Sequence, residues 1–398
     1  MNPRDVVIVS ACRTPIGKNM GQFKDVRARQ LAITAGAEAI KRADIDPKLI
    51  DGIVMGECFT AMEGSLAARQ VSMRLGFSER SNACVVNQNC ASGMRALDIQ
   101  ANNILLGKED IGMVIGVESM TNAPYVLEKA RMGYRMGDSK IFDNMLHDGL
   151  IDELSGGHMG LTAENVAEKY GITREECDKI AVRSHNLACK AIDEGIFKDE
   201  IVPVVIKSKK GEKVITDDEH PIRNCTMETL AKLKPAFKKD GVITAANASG
   251  INDAAAYMVL ASEDYVKAHN LKPMAKIKSY GSVGCDPSIM GIGPIESTRQ
   301  ALKRAGLTVD DLDVIESNEA FAAQACAVNS TLGFDMDKVN VNGGAIALGH
   351  PIGAAGCRIS TTLLYEMIKR DATYGLATMC IGGGMGEAII LERDELCK

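Results

Sequence analysis

The sequence has no long apolar run, no CxxC pair and no sustained block of one charge, and each absence removes a class of function. The first apolar stretch, Val6 to Val9, follows directly on Met1-Asn2-Pro3-Arg4-Asp5. It is too short for a signal peptide and far short of the roughly 20 residues that span a bilayer. Neither a membrane span nor a secretory leader is expected, and the cytoplasm is the expected compartment. Twelve cysteines without regular spacing read neither as a disulfide framework nor as a zinc site, and they suit a reducing compartment. A net charge of −6 supplies no positive field for nucleic acid or an anionic membrane, so a basic site for an anionic ligand has to be local. No Pro/Ser linker or low-complexity segment interrupts the chain. The sequons at Asn247-Ala248-Ser249 and Asn329-Ser330-Thr331 read as chance matches.

What is present is ample apolar material, 46% of 398 residues, enough for more than one hydrophobic core. Short β-branched runs (Val6 to Val9, Ile111 to Val117, Ile389 to Leu391) alternate with helical patterns such as Leu31 to Ala43 and Ile295 to Ala305. That alternation predicts an α/β architecture of buried, mostly parallel strands. An internal repeat is more telling. Ala91-Ser92-Gly93-Met94-Arg95 aligns with Ala354-Ala355-Gly356-Cys357-Arg358, and the offset of 263 residues between Arg95 and Arg358 recurs between Gly112 and Gly375. Two copies of one ancestral unit explain this register. Residues 119 to about 250 lack it. They hold the Gly/Met-rich stretch Met132 to Gly137, the loop Asp148 to Gly160 and a charged helical pattern from Thr173 to Glu194, and read as an insertion carried on the first half.

Four stretches carry residue types suited to chemistry. Cys90, in Asn87-Gln88-Asn89-Cys90-Ala91-Ser92-Gly93, sits where a strand-like run gives way to a helix, and a helix N-terminus favours thiolate. His350, in Gly349-His350-Pro351-Ile352-Gly353, occupies the corresponding junction of the second half. A pseudo-twofold axis would bring it to face Cys90, and imidazole is the side chain best suited to take a thiol proton near neutral pH. Cys380 ends a strand before Gly382-Gly383-Gly384; alone it reads as a buried cysteine before a hairpin, and the glycines lack phosphate-loop spacing. Asn318, in Ser317-Asn318-Glu319-Ala320-Phe321, reads as a helix cap or as an oxyanion or water ligand.

Asn-Cys-Ala-Ser-Gly, Asn-Glu-Ala-Phe, Gly-His-Pro-Ile-Gly and Cys-Ile-Gly-Gly-Gly, in this order and with the repeat, resemble the thiolase family over essentially the whole chain. The resemblance implies a thiolase fold: duplicated βαβαβαββ halves in a five-layer αβαβα core with an inserted loop domain. The expected divisions are 1–120 with 250–271, 121–249, and 272–398. It implies that Cys90 is acylated, that His350 activates it, and that Cys380 removes the α-proton of an incoming acetyl group. Asn318 (through a water) with His350, and the N–H groups of Cys90 and Gly382, would hold the two thioester oxygens. The implied reaction joins two acetyl-CoA into acetoacetyl-CoA and CoA, with CoA and its esters as substrates and no cofactor or metal.

Gly157-His158-Met159-Gly160 is similar to the family's short-chain, biosynthetic branch. Leu150, His158, Met159, Arg223, Ser249, Met290 and Phe321 would line the CoA and acyl site. The stretch Ala123 to Asp138 resembles a tetramer-forming loop, which implies a homotetramer, a dimer of dimers. Ala91 and Gln88-Asn89 around the nucleophile, and Gly56 to Leu66, depart from the common pattern. A degradative 3-ketoacyl-CoA thiolase would use the same four residues, a ketosynthase would lack the second cysteine, and a noncatalytic acyl-CoA-binding module would not need the three reactive side chains. Two thiols in one cavity also raise the expectation of a reversible Cys90–Cys380 disulfide under oxidation.

Overall fold

The computed structural model of the protein is described for residues 4–209 and 211–398. Its main strands are β1 (Val6–Arg13), β2 (Gly52–Gly56), β3 (Asn82–Val86), β4 (Ile111–Ser119), β5 (Asn252–Ser262), β6 (Ala275–Gly284), β7 (Val314–Ser317), β8 (Tyr374–Ile381) and β9 (Met385–Glu392). The helices that matter here are α1 (Ala28–Ala43), α2 (Ser92–Leu105), α3 (Met159–Tyr170), α4 (Arg174–Asp193), α5 (Gly293–Ala305), α6 (Ala322–Leu332) and α7 (Ile352–Lys369). The strands form one sheet in the order β7-β8-β9-β6-β1-β5-β4-β2-β3, with the two-residue strand Gly17–Lys18 added beside β5. The two halves meet where Val7 pairs with Lys276 and Ile8 with Ala275.

Parallel pairing is confined to β2–β3, β2–β4 and β7–β8, and the other main pairs are antiparallel. The expectation of mostly parallel strands is therefore corrected. Unbroken apolar runs report burial on both faces, which this fold provides whatever the strand direction. Along β5, Ala255, Tyr257 and Val259 point into the core beneath α1, while Ala256, Met258 and Leu260 point into the central core. β9 alternates likewise, Ile389 and Leu391 facing the centre and Ala388 and Ile390 the core under α5.

Five layers follow from these faces. α1 buries the stripe Leu31, Ala32, Ala35, Ala39 and Ile40 on one outer surface. α5 covers the other, and α2 and α7 fill the middle. α7 is buried almost all round, as a helix packed between the two halves of the sheet must be. Its contact with α2 displays the pseudo-twofold directly. A Cβ on Gly93 would lie 3.1 Å from Cys357 N, and one on Gly356 would lie 2.4 Å from Met94 N, so equivalent residues meet reciprocally. Gly112 faces Gln100 and Gly375 faces Leu363, again pairs separated by the same offset.

Between Ser119 and Asn252 the chain leaves the repeat and builds α3, α4 and an antiparallel hairpin, Val204–Ser208 with Gly211–Ile215. Thr173 caps α4 in a reciprocal capping box with Glu176. The region is tied down by Arg13 of β1, fully buried, whose guanidinium holds Glu200 at 2.6 Å and Asp218 at 2.8 Å. Breaking such a pair would strand a buried charge. By contrast Tyr125, Met132 and Met136, on the loop after β4, are exposed.

Candidate active site

Cys90 is carried by a tight turn between β3 and α2. Asn89 has φ +47°, a left-handed conformation that asparagine tolerates better than most residues. Ser92 locks the turn: its Oγ accepts from Gln88 N–H at 2.9 Å and donates to the Asn89 carbonyl at 2.7 Å. Gly56 lets the start of α2 press on the end of β2, since a Cβ there would lie 2.3 Å from the Ser92 backbone. The thiol is thus held just before the first turn of α2. The expected ease of ionisation is not what the free site has, however. Burial pushes the Cys90 thiol up to about 11, against the lowering effect of the Gly382 and Cys90 N–H groups. Low dielectric outweighs the helix terminus here.

His350 comes from the other half, and the expected strand-to-helix junction is corrected there: the short helix Ala345–Leu348, not a strand, precedes it. The His350 N–H donates to Asn252 Oδ1 of β5 at 3.0 Å, and Gly349, at φ +105°, is required because a Cβ would strike the same Asn252 side chain. The ring is buried, and Nε2 has no hydrogen-bond partner among the described residues. Burial, with the Arg358 charge, pushes its pKa down to about 3, so the imidazole is neutral at physiological pH. Asn318 lies just beyond β7, its amide 3.5 Å from His350 Nδ1. It caps no helix, because α6 begins at Ala322 with Phe321 at the cap position. Cys380 is fully buried near the end of β8, and burial together with the neighbouring Cys90 drives its thiol well up. Gly382 opens the turn to β9 and approaches Cys90 through its N–H. All twelve cysteines are free.

Cys90 and His350 open onto a cavity of about 520 Å³. Cys90, His350, Leu150, His158, Met159, Ser249, Met290 and Phe321 all line it. His158 stacks on Phe237 at 4.7 Å, and Phe237 meets Phe321 edge-on at 6.1 Å, giving the wall a mostly apolar face. Ser249 is placed by a short antiparallel contact in which its N–H donates to the Ala320 carbonyl at 3.0 Å.

The family models for the thiolase N-terminal domain and the thiolase C-terminal domain match residues 6–264 and 271–393. The chain belongs to the thiolase family. It is 54% identical over 98% of its length to the acetyl-CoA acetyltransferase of Syntrophomonas wolfei, of which 99% is covered, and 50% identical over 97% to that of Paracoccus denitrificans, with 99% covered. The solved S. wolfei structure superposes with a TM-score of 0.97, covering 98% of this chain and 100% of that one at 54% identity. A human mitochondrial 3-ketoacyl-CoA thiolase in complex with CoA superposes at 0.93, with 41% identity and 98% of both chains covered.

In this thiolase one of the residues expected to line the CoA and acyl site is not brought to the cavity, while Cys380, Asn318 and Gly382 lie behind its lining. Arg223 lies on the surface, its guanidinium forked on Asp193 at 2.8 and 3.0 Å, beside Cys189 and Lys190. Conversely, Lys18, Asn19, Met120, His220 and Phe237 line the cavity and lie outside the motifs. Phe237, an aromatic residue in the stretch Lys234-Pro235-Ala236-Phe237-Lys238-Lys239, was the most legible of them. Two buried acids, Glu118 and Glu57, lie outside the motifs, and the Glu118 charge acts on Cys90. Glu118 accepts N–H groups from Cys58, Phe59 and Gly353 at 2.9 to 3.1 Å, and burial raises it to about 7. Glu57 has no partner for either oxygen among the described residues, and burial with the Glu118 charge raises it to about 9. No group of three or more potential metal ligands occurs among the described residues, and no helix there is long and apolar enough to cross a membrane.

Proposed function

We propose that this thiolase is an acetyl-CoA C-acetyltransferase, with Cys90, His350, Cys380, Asn318 and Gly382 as its reacting and stabilising groups. The observation that carries the reading is that a thiol and a neutral imidazole, one from each half, line one mostly apolar cavity, with the second thiol, Cys380, buried next to the first. Both partners of the first step start uncharged. As the Cys90 sulfur bonds to the acetyl carbonyl carbon, its proton passes to His350, and the thioester oxygen gains charge against the Cys90 and Gly382 N–H groups. The departing CoA sulfur takes a proton from Cys380. The resulting Cys380 thiolate removes an α-proton from a second acetyl-CoA, whose carbon attacks acetyl-Cys90. The expelled Cys90 sulfur recovers its proton from His350, which returns every group to its starting state and yields acetoacetyl-CoA and CoA. Asn318 and His350 would hold the oxygen of the enolising thioester.

Met159 supports a short-acyl preference, because its terminal methyl lies where a Gly382 side chain would begin and so fills the space beside the reacting sulfur. Leu150, His158, Ser249, Met290 and Phe321 belong to the pantetheine and acyl walls, and no cofactor or metal enters the scheme. The same reading includes the division into 1–120 with 250–271, 121–249 and 272–398, supported by the return of β5 to pair with β1 and β4. It also includes a cytoplasmic homotetramer built through the exposed loop that holds Met132 and Met136. Thiolysis of acetoacetyl-CoA beside 3-oxohexanoyl- and 3-oxooctanoyl-CoA, with Cys90→Ala as control, tests the function. Activity centred on the four-carbon substrate and lost in the variant is expected. Comparable rates on the longer esters would make it a degradative 3-ketoacyl-CoA thiolase, and no activity on any of them would leave a binding module.

A further inference from the structure

We propose that Asn89 is a positioning residue for acyl transfer: its side-chain amide holds Gly382 so that the Gly382 N–H stays aimed at the Cys90 sulfur and at the oxygen of the ester formed there. The inference rests on the reading of Cys90 as the acylated nucleophile. The amide Nδ2 donates to the Gly382 carbonyl at 3.1 Å, a bond from the nucleophile's own turn to a loop of the other half. That loop needs such a tie. Gly382-Gly383-Gly384 has the greatest backbone freedom of any tripeptide, and Gly383 and Gly384 sit at φ +89° and +84°. Its far end is fixed where Cys285 N–H donates to the Gly384 carbonyl at 2.7 Å, and its near end leaves β8 at the Ile381–Met385 pair. Asn89 supplies the hold at Gly382 itself.

Asn89 is in turn rigid. Its N–H donates to Asn87 Oδ1 at 2.9 Å, and its carbonyl accepts from Ser92 Oγ at 2.7 Å and from Cys58 Sγ at 3.1 Å. The left-handed backbone aims the side chain across the gap, and asparagine combines tolerance of that backbone with an amide donor. The groups facing Cys90 are Glu118 of β4, Cys58 after β2, Cys380 of β8 and His350 before α7. A change at Asn89 removes none of them.

Asn89→Gly keeps the backbone easy and removes the amide; Asn89→Asp keeps the shape but sets a carboxylate oxygen against the Gly382 carbonyl. Kinetics of acetoacetyl-CoA thiolysis and the pH profile of Cys90 alkylation by iodoacetamide would be measured for both variants and the wild-type protein. We expect kcat to fall roughly tenfold in Asn89→Gly and further in Asn89→Asp, with KM changed less than about twofold. The alkylation profile shifts to higher pH in both, because the Gly382 N–H no longer favours the thiolate. Wild-type kcat with a wild-type profile in Asn89→Gly would overturn the proposal, and so would a fall in kcat with the profile unmoved, which a merely deformed turn would give. If Asn89→Asp fails to fold, Asn89→Gly decides alone. A wild-type protein without thiolysis, or with activity that survives Cys90→Ala, would instead sink the underlying functional reading.

Discussion

The Cys90 turn and the His350 turn lead into the corresponding helices α2 and α7 of the two halves, yet they are built differently, for Cys90 follows strand β3 and His350 follows the short helix Ala345–Leu348. The first puts a left-handed asparagine before a thiol and leads into α2; the second puts a positive-φ glycine before a histidine and closes with Pro351 at the head of α7. A duplicated helix start carries a thiol in one copy and an imidazole in the other, which the proposed function reads as nucleophile and base. The pseudo-twofold, enforced by the Gly93 and Gly356 contacts, is what lets them share a cavity. A second contrast lies just past equivalent strands. Glu319, after β7, accepts from Ser184 Oγ at 2.6 Å and Asn340 Nδ2 at 2.9 Å, whereas Glu57, after β2, has no partner among the described residues. One copy ties its buried acid into hydrogen bonds, and the other leaves its acid unpaired among the described residues and protonated at neutral pH.

The largest effects should come from the two junctions themselves. Cys90→Ala is expected to lower kcat/KM by on the order of 10⁴ or more, and His350→Ala by roughly 10² to 10⁴, in acetoacetyl-CoA thiolysis. Equal, small losses would mean that the junctions are not a nucleophile–base pair. Next in size is the pH response of the free thiol. With the Cys90 pKa near 11, its alkylation by iodoacetamide should rise about tenfold per pH unit from pH 6 to 9; a plateau by pH 8 would mean a thiolate already formed by the helix terminus.

The buried acids give a test in stability. The Glu57 carboxyl is raised to about 9 when folded, so it holds a proton that the unfolded chain has released, and stability drains away as pH rises from about 4.5 to 9. In urea melts Glu57→Gln should match the wild-type protein near pH 5 and exceed it by on the order of 2 kcal/mol at pH 8. Glu319→Gln should be destabilised by about 1 to 3 kcal/mol at either pH, because it forfeits accepted hydrogen bonds. The same sign for both at pH 8 would erase the contrast. At the helix crossing, Gly356→Ala should cost about 1 to 3 kcal/mol and more than Gly93→Ala, whose added methyl meets its nearest neighbour at 2.9 rather than 2.4 Å. The smallest effect is in specificity: Met159→Ala should raise the rate on 3-oxohexanoyl-CoA relative to acetoacetyl-CoA by a few fold, and an unchanged ratio would remove Met159 from the acyl pocket.

Much of this protein is determined by local sequence. The repeat register, the α/β alternation, the capping box at Thr173 and the identity of Cys90, His350 and Cys380 all rest on residue type and spacing along a short stretch of chain. Three things were settled only in three dimensions. Strand direction was one, because apolar runs report two-sided burial and not polarity. The charge state of the thiol was another, because desolvation depends on what the other half packs over Cys90 and overrides the helix terminus beneath it. The cavity walls were the third. Lys18, His220 and Phe237 reach the site, and Arg223 turns outward to Asp193, through contacts between segments far apart in the chain, for which no local pattern exists.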